Sequence, residues 1–173
     1  MKICVFFFFL LIFASGVYAG GCPNNAQWVN NRQYQISVLQ PTQAYIVLSQ
    51  PDIRKFGQKN DYHTIGFTLT KNGVFGKRTL EQKTSNIVKS TGFANTRDRE
   101  VELVLQPNET YNIIPSTFEP GVEAGYKISV YSEKPVSFVS ITEETDWKVT
   151  SVSGRWTAGK AGRKNLINLS KQQ

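Results

Sequence analysis

Pro107-Asn108-Glu109-Thr110-Tyr111-Asn112-Ile113-Ile114-Pro115-Ser116-Thr117-Phe118-Glu119-Pro120-Gly121, followed by Val122 to Ser132, decides the fold. The stretch reads as two strands and the turns that aim them. Pro107-Asn108 opens a turn, because Pro presets φ and Asn tolerates turn geometry. Thr110 to Ile114 is β-branched and aromatic, which suits a half-buried pleated strand. Pro115 cannot donate to a ladder, so the strand ends there, bulges, or lies at an edge. Pro120-Gly121 is a second turn signal. From Tyr126 the alternation is strict: Tyr126, Ile128 and Val130 point one way, Lys127, Ser129 and Tyr131 the other. A period of two predicts a strand with one face in the core.

The same pattern extends to both sides. Residues 20–31 are polar and rich in Gly and Asn, and read as a loop that packs Trp28 on one end of the fold. Gln33 to Val38 alternates, with Tyr34, Ile36 and Val38 inward and Gln33, Gln35 and Ser37 outward, until Pro41 breaks it. Ala44 to Ser49 is nearly continuously apolar, which predicts a strand covered on both faces. Pro51 to His63 is a charged loop. Thr64 to Lys71 sets Ile65, Phe67 and Leu69 on one face, and Asn72-Gly73 after it is a hairpin-type dipeptide. Val74 to Thr84 reads as loop at Gly76, Lys77 and Arg78, with Val74 and Phe75 open to starting a short strand. Strands are expected at Asn86 to Ser90, at Glu100 to Leu105 with Val101, Leu103 and Leu105 inward, and at Val136 to Ile141. Gly92 to Arg99 is expected to be loop. Short strands with turn signals between them and no helical period predict a sandwich or barrel. The expected fold class is all-β, an antiparallel β-sandwich of about eight strands.

A family resemblance rests on three ordered pieces. Tyr111-x-Ile113-Ile114-Pro115-Ser116-Thr117-Phe118-Glu119-Pro120-Gly121, with Tyr126-x-Ile128-x-Val130-Tyr131-Ser132-Glu133-Lys134, resembles the β-sandwich that follows the protease core in calpains, the calpain large-subunit domain III. Gly20-Gly21-Cys22-Pro23-Asn24-Asn25, with Trp28, Asn30, Asn31, Gln33 and Tyr34, resembles the segment leading into that sandwich. Thr91-Gly92-Phe93-Ala94-Asn95 resembles its middle loop. The resemblance reaches across residues 20–141 and implies a domain III sandwich at 20–146. Residues 147–173 form a basic tail. Within it, Gly154-x-Trp156 and Ala161-Gly162 echo the family's lead-in, so the tail reads either as the truncated start of a second tandem sandwich or as a polar tail of chance similarity.

The chain of 173 residues carries 20 Lys+Arg against 13 Asp+Glu. Residues 22–153 hold 14 basic and 13 acidic side chains, a net of +1, whereas Arg155, Lys160, Arg163, Lys164 and Lys171 meet no acid at all. The sandwich is therefore near neutral, and nucleic acid is not an expected partner. Residues 1–19 read as a signal peptide: Lys2, an apolar run from Ile3 to Ala14, and Val17-Tyr18-Ala19 ahead of a cut before Gly20. That implies a secreted or secretory-pathway protein. An uncleaved apolar anchor and a mis-assigned gene start, which leave an intracellular protein, are the rival readings. If the leader departs with Cys4, Cys22 is left alone, as a free thiol, an intermolecular bridge or a small buried hydrophobe.

Protease chemistry of the calpain kind needs a Cys nucleophile, a His base and an Asn orienter. The single histidine, His63, lies in a loop, and Cys22 lies in a segment that is structural in the family, so no catalytic residues are assigned. Calcium needs about six to eight converging oxygen ligands. The four aspartates, Asp52, Asp61, Asp98 and Asp146, are scattered, and the loop that is acidic in related sandwiches here sets Arg54, Lys55 and Lys59 against Asp52 and Asp61. Neither metal nor cofactor is expected, and calcium in particular is not. The candidate binding residues for an anionic surface are Arg54, Lys55, Lys59, Lys77 and Arg78. Asn108 and Asn168 head glycosylation sequons, which matter only in a secreted protein. The functional expectation is a non-catalytic module that binds a protein partner or an anionic membrane surface. The alternative is a fragment of a calpain-like cysteine peptidase in which the sandwich is regulatory.

Overall fold

The computed structural model describes residues 18–52, 62–71 and 74–141, together with the backbone of 4–6 and 12–13. Its strands are β1 (Cys4–Phe6), β2 (Ile12–Phe13), β3 (Gln33–Val38), β4 (Thr42–Ser49), β5 (Thr64–Lys71), β6 (Ile87–Ser90), β7 (Ala94–Asn95), β8 (Asp98–Leu105), β9 (Thr110–Thr117), β10 (Gly125–Ser132) and β11 (Val136–Ile141). All pairings among them are antiparallel. One sheet runs β10-β4-β8, with β1 and β2 on the outer edge of β10; the other runs β11-β3-β9-β5-β6, with β7 also on β5. This is the expected antiparallel sandwich. From Gln33 onward it has nine strands, and the one beyond the expected eight is β7, two residues inside the stretch read as loop.

The core lies between the sheets and follows the period of two. Ala44, Ile46, Leu48, Val101, Leu105, Ile128 and Val130 come from one sheet; Tyr34, Ile36, Val38, Ile65, Phe67, Leu69, Tyr111, Ile113, Val136 and Phe138 come from the other. Tyr34 stacks on Phe138 with centroids 5.7 Å apart, and its hydroxyl meets that of Tyr126 at 2.9 Å, tying β3 to β10 across the core. Burial pushes both phenols above their ordinary range.

One detail departs from the sequence reading, and at Pro115 the structure selects the edge position among the three readings. β4 is covered on one face only: Ile46 is fully buried while its neighbour Tyr45 is 36% exposed. The strands covered on both faces are β3, β5 and β9, whose outward residues include Gln33, Gln35, Thr68, Thr70 and Asn112, all buried. An apolar run is not required for double coverage: here the amides of Gln33, Gln35 and Asn112 are satisfied by overlying backbone. Pro115 neither ends nor bulges the strand. β9 pairs with β3 only as far as Ile113, and beyond that its one neighbour is β5, so Pro115 lies where the missing N–H disturbs least.

The β8–β9 turn shows how one residue closes a corner. Asn108 takes φ +62°, the left-handed conformation that its short side chain tolerates. Tyr111 returns to this turn, its hydroxyl accepting from Gln106 N–H at 3.0 Å and donating to Glu109 Oε2 at 2.5 Å. Lys71 binds the other oxygen of Glu109, and this ion pair with the phenol holds the carboxyl below its usual range. Burial, and then Glu109, push the Tyr111 phenol up to about 12.

Two predictions follow from this packing. Ile46→Ala is expected to lower the unfolding free energy by about 2–5 kcal/mol, and Tyr45→Ala by about 1 kcal/mol or less, in urea denaturation. Equal losses would contradict one-sided coverage of β4. Because the folded-state pKa of Tyr111 is raised, its contribution is complete below the ordinary tyrosine value near 10 and is lost as pH rises toward about 12. Tyr111→Phe should flatten the fall of stability with pH in that window, measured by denaturation at stepped alkaline pH; an unchanged slope would count against the phenol's role.

Candidate functional site

The segment from Val74 to Leu80 crosses the outer face of β3, β9 and β5 and is fixed there by side chains beneath it. Gln33 Nε2 donates to the carbonyls of Val29 at 3.0 Å and Thr79 at 2.8 Å, and its Oε1 accepts from Thr79 N–H at 2.7 Å. Gln35 Nε2 donates to the Val74 carbonyl and to Asn112 Oδ1, both at 3.1 Å, and its Oε1 accepts from Gly76 N–H at 2.7 Å. Asn112 Nδ2 donates to the Lys77 carbonyl at 3.0 Å and to Thr79 Oγ1 at 3.2 Å. Thr70 and Thr79 share a hydroxyl contact of 2.9 Å. Gly76 sits at φ +77°, which a residue without Cβ adopts freely.

The upper side of this loop is apolar. Val74 is 53% exposed, Phe75 64% and Leu80 75%. Large apolar side chains are thus held out to solvent on a fixed backbone. The surroundings are basic: residues 71–89 hold Lys71, Lys77, Arg78, Lys83 and Lys89 against Glu81. Of the candidate binding residues, Lys77 lies in this loop. Arg78 has a structural task as well, since its Nη2 donates to the carbonyls of Val29, Asn30 and Asn31 at 2.9, 3.3 and 3.0 Å. Arg54, Lys55, Lys59 and the sequon residue Asn168 lie outside the described residues. Asn108 is exposed at its turn. The apolar tips were legible only as the Val74-Phe75 pair, which forms no strand. The amides beneath gave no sequence signal, because an outward Gln on a strand looks solvated.

Cys22 is buried, with Asn25 Nδ2 at 3.5 Å from its sulfur. His63 is exposed, its backbone N–H and carbonyl both bonded to the Gln50 side chain. Among the described residues, no group of three or more His, Cys, Asp or Glu is placed to hold a metal ion. A second, open concavity lies between β6 and β8, crossed by Lys89 Nζ, which donates to the Glu102 carbonyl at 2.9 Å.

Comparison with known proteins matches residues 13–131 to the family described as calpain large subunit, domain III. The chain is 30% identical over 151 residues to serine/threonine-protein kinase 4 homolog B of Dictyostelium discoideum, covering 85% of this chain and 13% of that protein. It is 27% identical over 152 residues to the putative calpain-like cysteine protease A of the same organism, covering 87% of this chain and 22% of that protein. It is 29% identical over 150 residues to the calpain-1 catalytic subunit of Gallus gallus, covering 75% of this chain and 21% of that protein. The chain thus spans less than a quarter of each of these relatives.

The bracing of the loop can be tested by removing one amide. Asn112→Ala takes a donor from the Lys77 carbonyl and from Thr79 and an acceptor from Gln35, so a loss of about 1–3 kcal/mol is expected. Amide exchange across residues 74–80 should accelerate at the same time. Unchanged exchange in that segment, measured by mass spectrometry, would show that the loop is held by other means.

Proposed function

The chain belongs to the calpain large subunit, domain III family, and from that premise we propose that it acts as a non-catalytic docking module whose contact face is the Val74–Leu80 loop. The observation that carries this is the pairing of exposed Val74, Phe75 and Leu80 with a backbone fixed from beneath by buried amides. A surface ordered in advance loses little entropy on binding. The partner it suits is an anionic membrane surface. Apolar tips enter the interface while Lys77 and its basic neighbours meet headgroups, at about 1 kcal/mol per cation close to the surface. Arg54, Lys55 and Lys59 would add to that attraction. Calcium has no part in this reading, which relies on cations of the protein itself.

Two matches support a docking role over a chemical one. Matching sequence occurs in a protein named as a kinase homolog and in one named as a calpain-like cysteine protease. A part shared by proteins of different chemistry supplies attachment or regulation rather than the reaction. Cys22 and His63 then serve packing and solvation. A second reading is favoured by the protease relatives: the sandwich as the regulatory part of a longer calpain-like cysteine peptidase, of whose length it fills about a fifth.

Vesicle sedimentation tests the docking face. The full chain is expected to bind phosphatidylserine vesicles in the presence of chelator, to bind neutral vesicles poorly, and to release as salt rises. Phe75→Ser with Leu80→Ser should weaken binding by about tenfold or more, given the apolar area withdrawn. A calcium requirement, or a double variant that binds as well as the parent, would overturn the reading. Failure on all vesicles, with a photo-crosslinker at position 75 capturing one protein in cells, would move the partner to a protein. Thiol-dependent casein cleavage lost in Cys22→Ala would overturn the non-catalytic part.

A further inference from the structure

Two short strands at the start of the chain lie along one edge of the sandwich. β1 pairs with β10 through Cys4 with Ser132, Val5 with Tyr131 and Phe6 with Val130. β2 pairs with the same strand through Ile12 with Tyr126 and Phe13 with Gly125. Both run antiparallel to β10 and advance along it in one direction. From Phe6 to Ile12 the chain moves six positions while its partner moves four, from Val130 to Tyr126. The two pieces therefore lie along the same edge of β10. The opposite edge of β10 is taken by β4, from Lys127 to Ser132. Without β1 and β2, β10 would present an open row of backbone donors and acceptors, a template for unwanted pairing.

We propose that the outer edge of β10 is a strand-acceptor site, and that its occupant is this chain's own apolar N-terminal run, retained as a working part of the folded domain. Main-chain hydrogen bonds provide the binding in such strand addition. A run rich in Phe, Ile and Val is strand-forming as well as leader-like, so composition does not separate the two uses. Geometry at the joint does. Tyr18 lies under the Arg32 guanidinium, 4.5 Å from Cζ to the ring centroid. Ala19 is buried, and its carbonyl accepts from Gly121 N–H at 2.8 Å. Gly20 N–H donates to Asn31 Oδ1 at 2.9 Å, in a space so tight that a Cβ would come within 2.0 Å of the Gln27 carbonyl oxygen.

A cut between Ala19 and Gly20 would remove the acceptor of Gly121 and the ring beneath Arg32. It would also turn a buried amide nitrogen into an ammonium facing one amide oxygen, and a charge held away from water is strongly disfavoured. The family match begins at residue 13 and so spans both sides of that peptide bond. The inference is independent of the docking loop, which lies on the other sheet.

A native cysteine makes the register testable in the full chain. Cys4 and Ser132 are partners in the backbone register, so Ser132→Cys is expected to form an intramolecular disulfide with Cys4 under mild oxidation. Ser129→Cys, three positions away, should not. Cys22 is buried and does not compete. Amide exchange followed by NMR on the unmodified chain gives a second readout: the consecutive amides of Val130, Tyr131 and Ser132, which lie between β1 and β4, should be protected alike. Intact mass of the protein from its own cells should include residues 4–19. Protection at alternate amides only, a cross-link between two chains in place of one within a chain, or a mature N-terminus at Gly20 would each overturn the proposal.

Discussion

The buried amides of Gln33, Gln35 and Asn112 constrain the rest of the structure. All three point away from the hydrophobic core, yet all three are almost wholly buried. A buried amide without partners costs about 1–3 kcal/mol, so a covering segment must meet it with backbone groups in register. The segment from Val74 to Thr79 does so, presenting the carbonyls of Val74, Lys77 and Thr79 and the N–H groups of Gly76 and Thr79. The dependence is mutual. The loop lacks strand pairing of its own, and the side chains below substitute for a ladder.

From that bracing follows the asymmetry of the sandwich. The sheet of β3, β9 and β5 is covered on both faces, while β4 and β8 leave one face to solvent, with Tyr45, Glu100, Glu102 and Val104 exposed. The covered side gathers more than the loop. Arg78 reaches the carbonyls at Val29 to Asn31, and Asn31 in turn holds Gly20 and Gly21 through its amide. Cys22 N–H and Gly121 N–H close the other side onto Phe118 and Ala19. One polar network thus runs from the leading segment, beneath the loop from Val74 to Leu80, to the turn after β9. The apolar tips of Phe75 and Leu80 owe their fixed presentation to this base, and a basic neighbourhood with apolar tips is the chemistry an anionic interface recognises. The relatives matched by this sandwich are far longer proteins, of which it spans 13% and 22%.

The positions of eight strands from Gln33 onward, their core faces and the turns at Asn108 and Gly121 were determined by the sequence alone; β1, β2 and β7 were not. Their causes are local: alternation fixes which residues face inward, and positive φ at a turn selects Asn or Gly. The family was legible partly for the same reason, since a Cβ at Gly20 or Gly21 would meet backbone and Gly121 takes φ +78°. The tertiary structure alone decided which outward side chains are buried, that Arg78 clamps three carbonyls, that β4 has an open face, and that Phe75 and Leu80 stand exposed. Each of these depends on what lies above a strand, and the covering loop at 74–80 is separated from β3 and β9 by tens of residues. A glutamine on a strand has the same alternation whether water or a distant loop satisfies it, so only the fold, which brings residue 33 to residue 79, could tell the two apart.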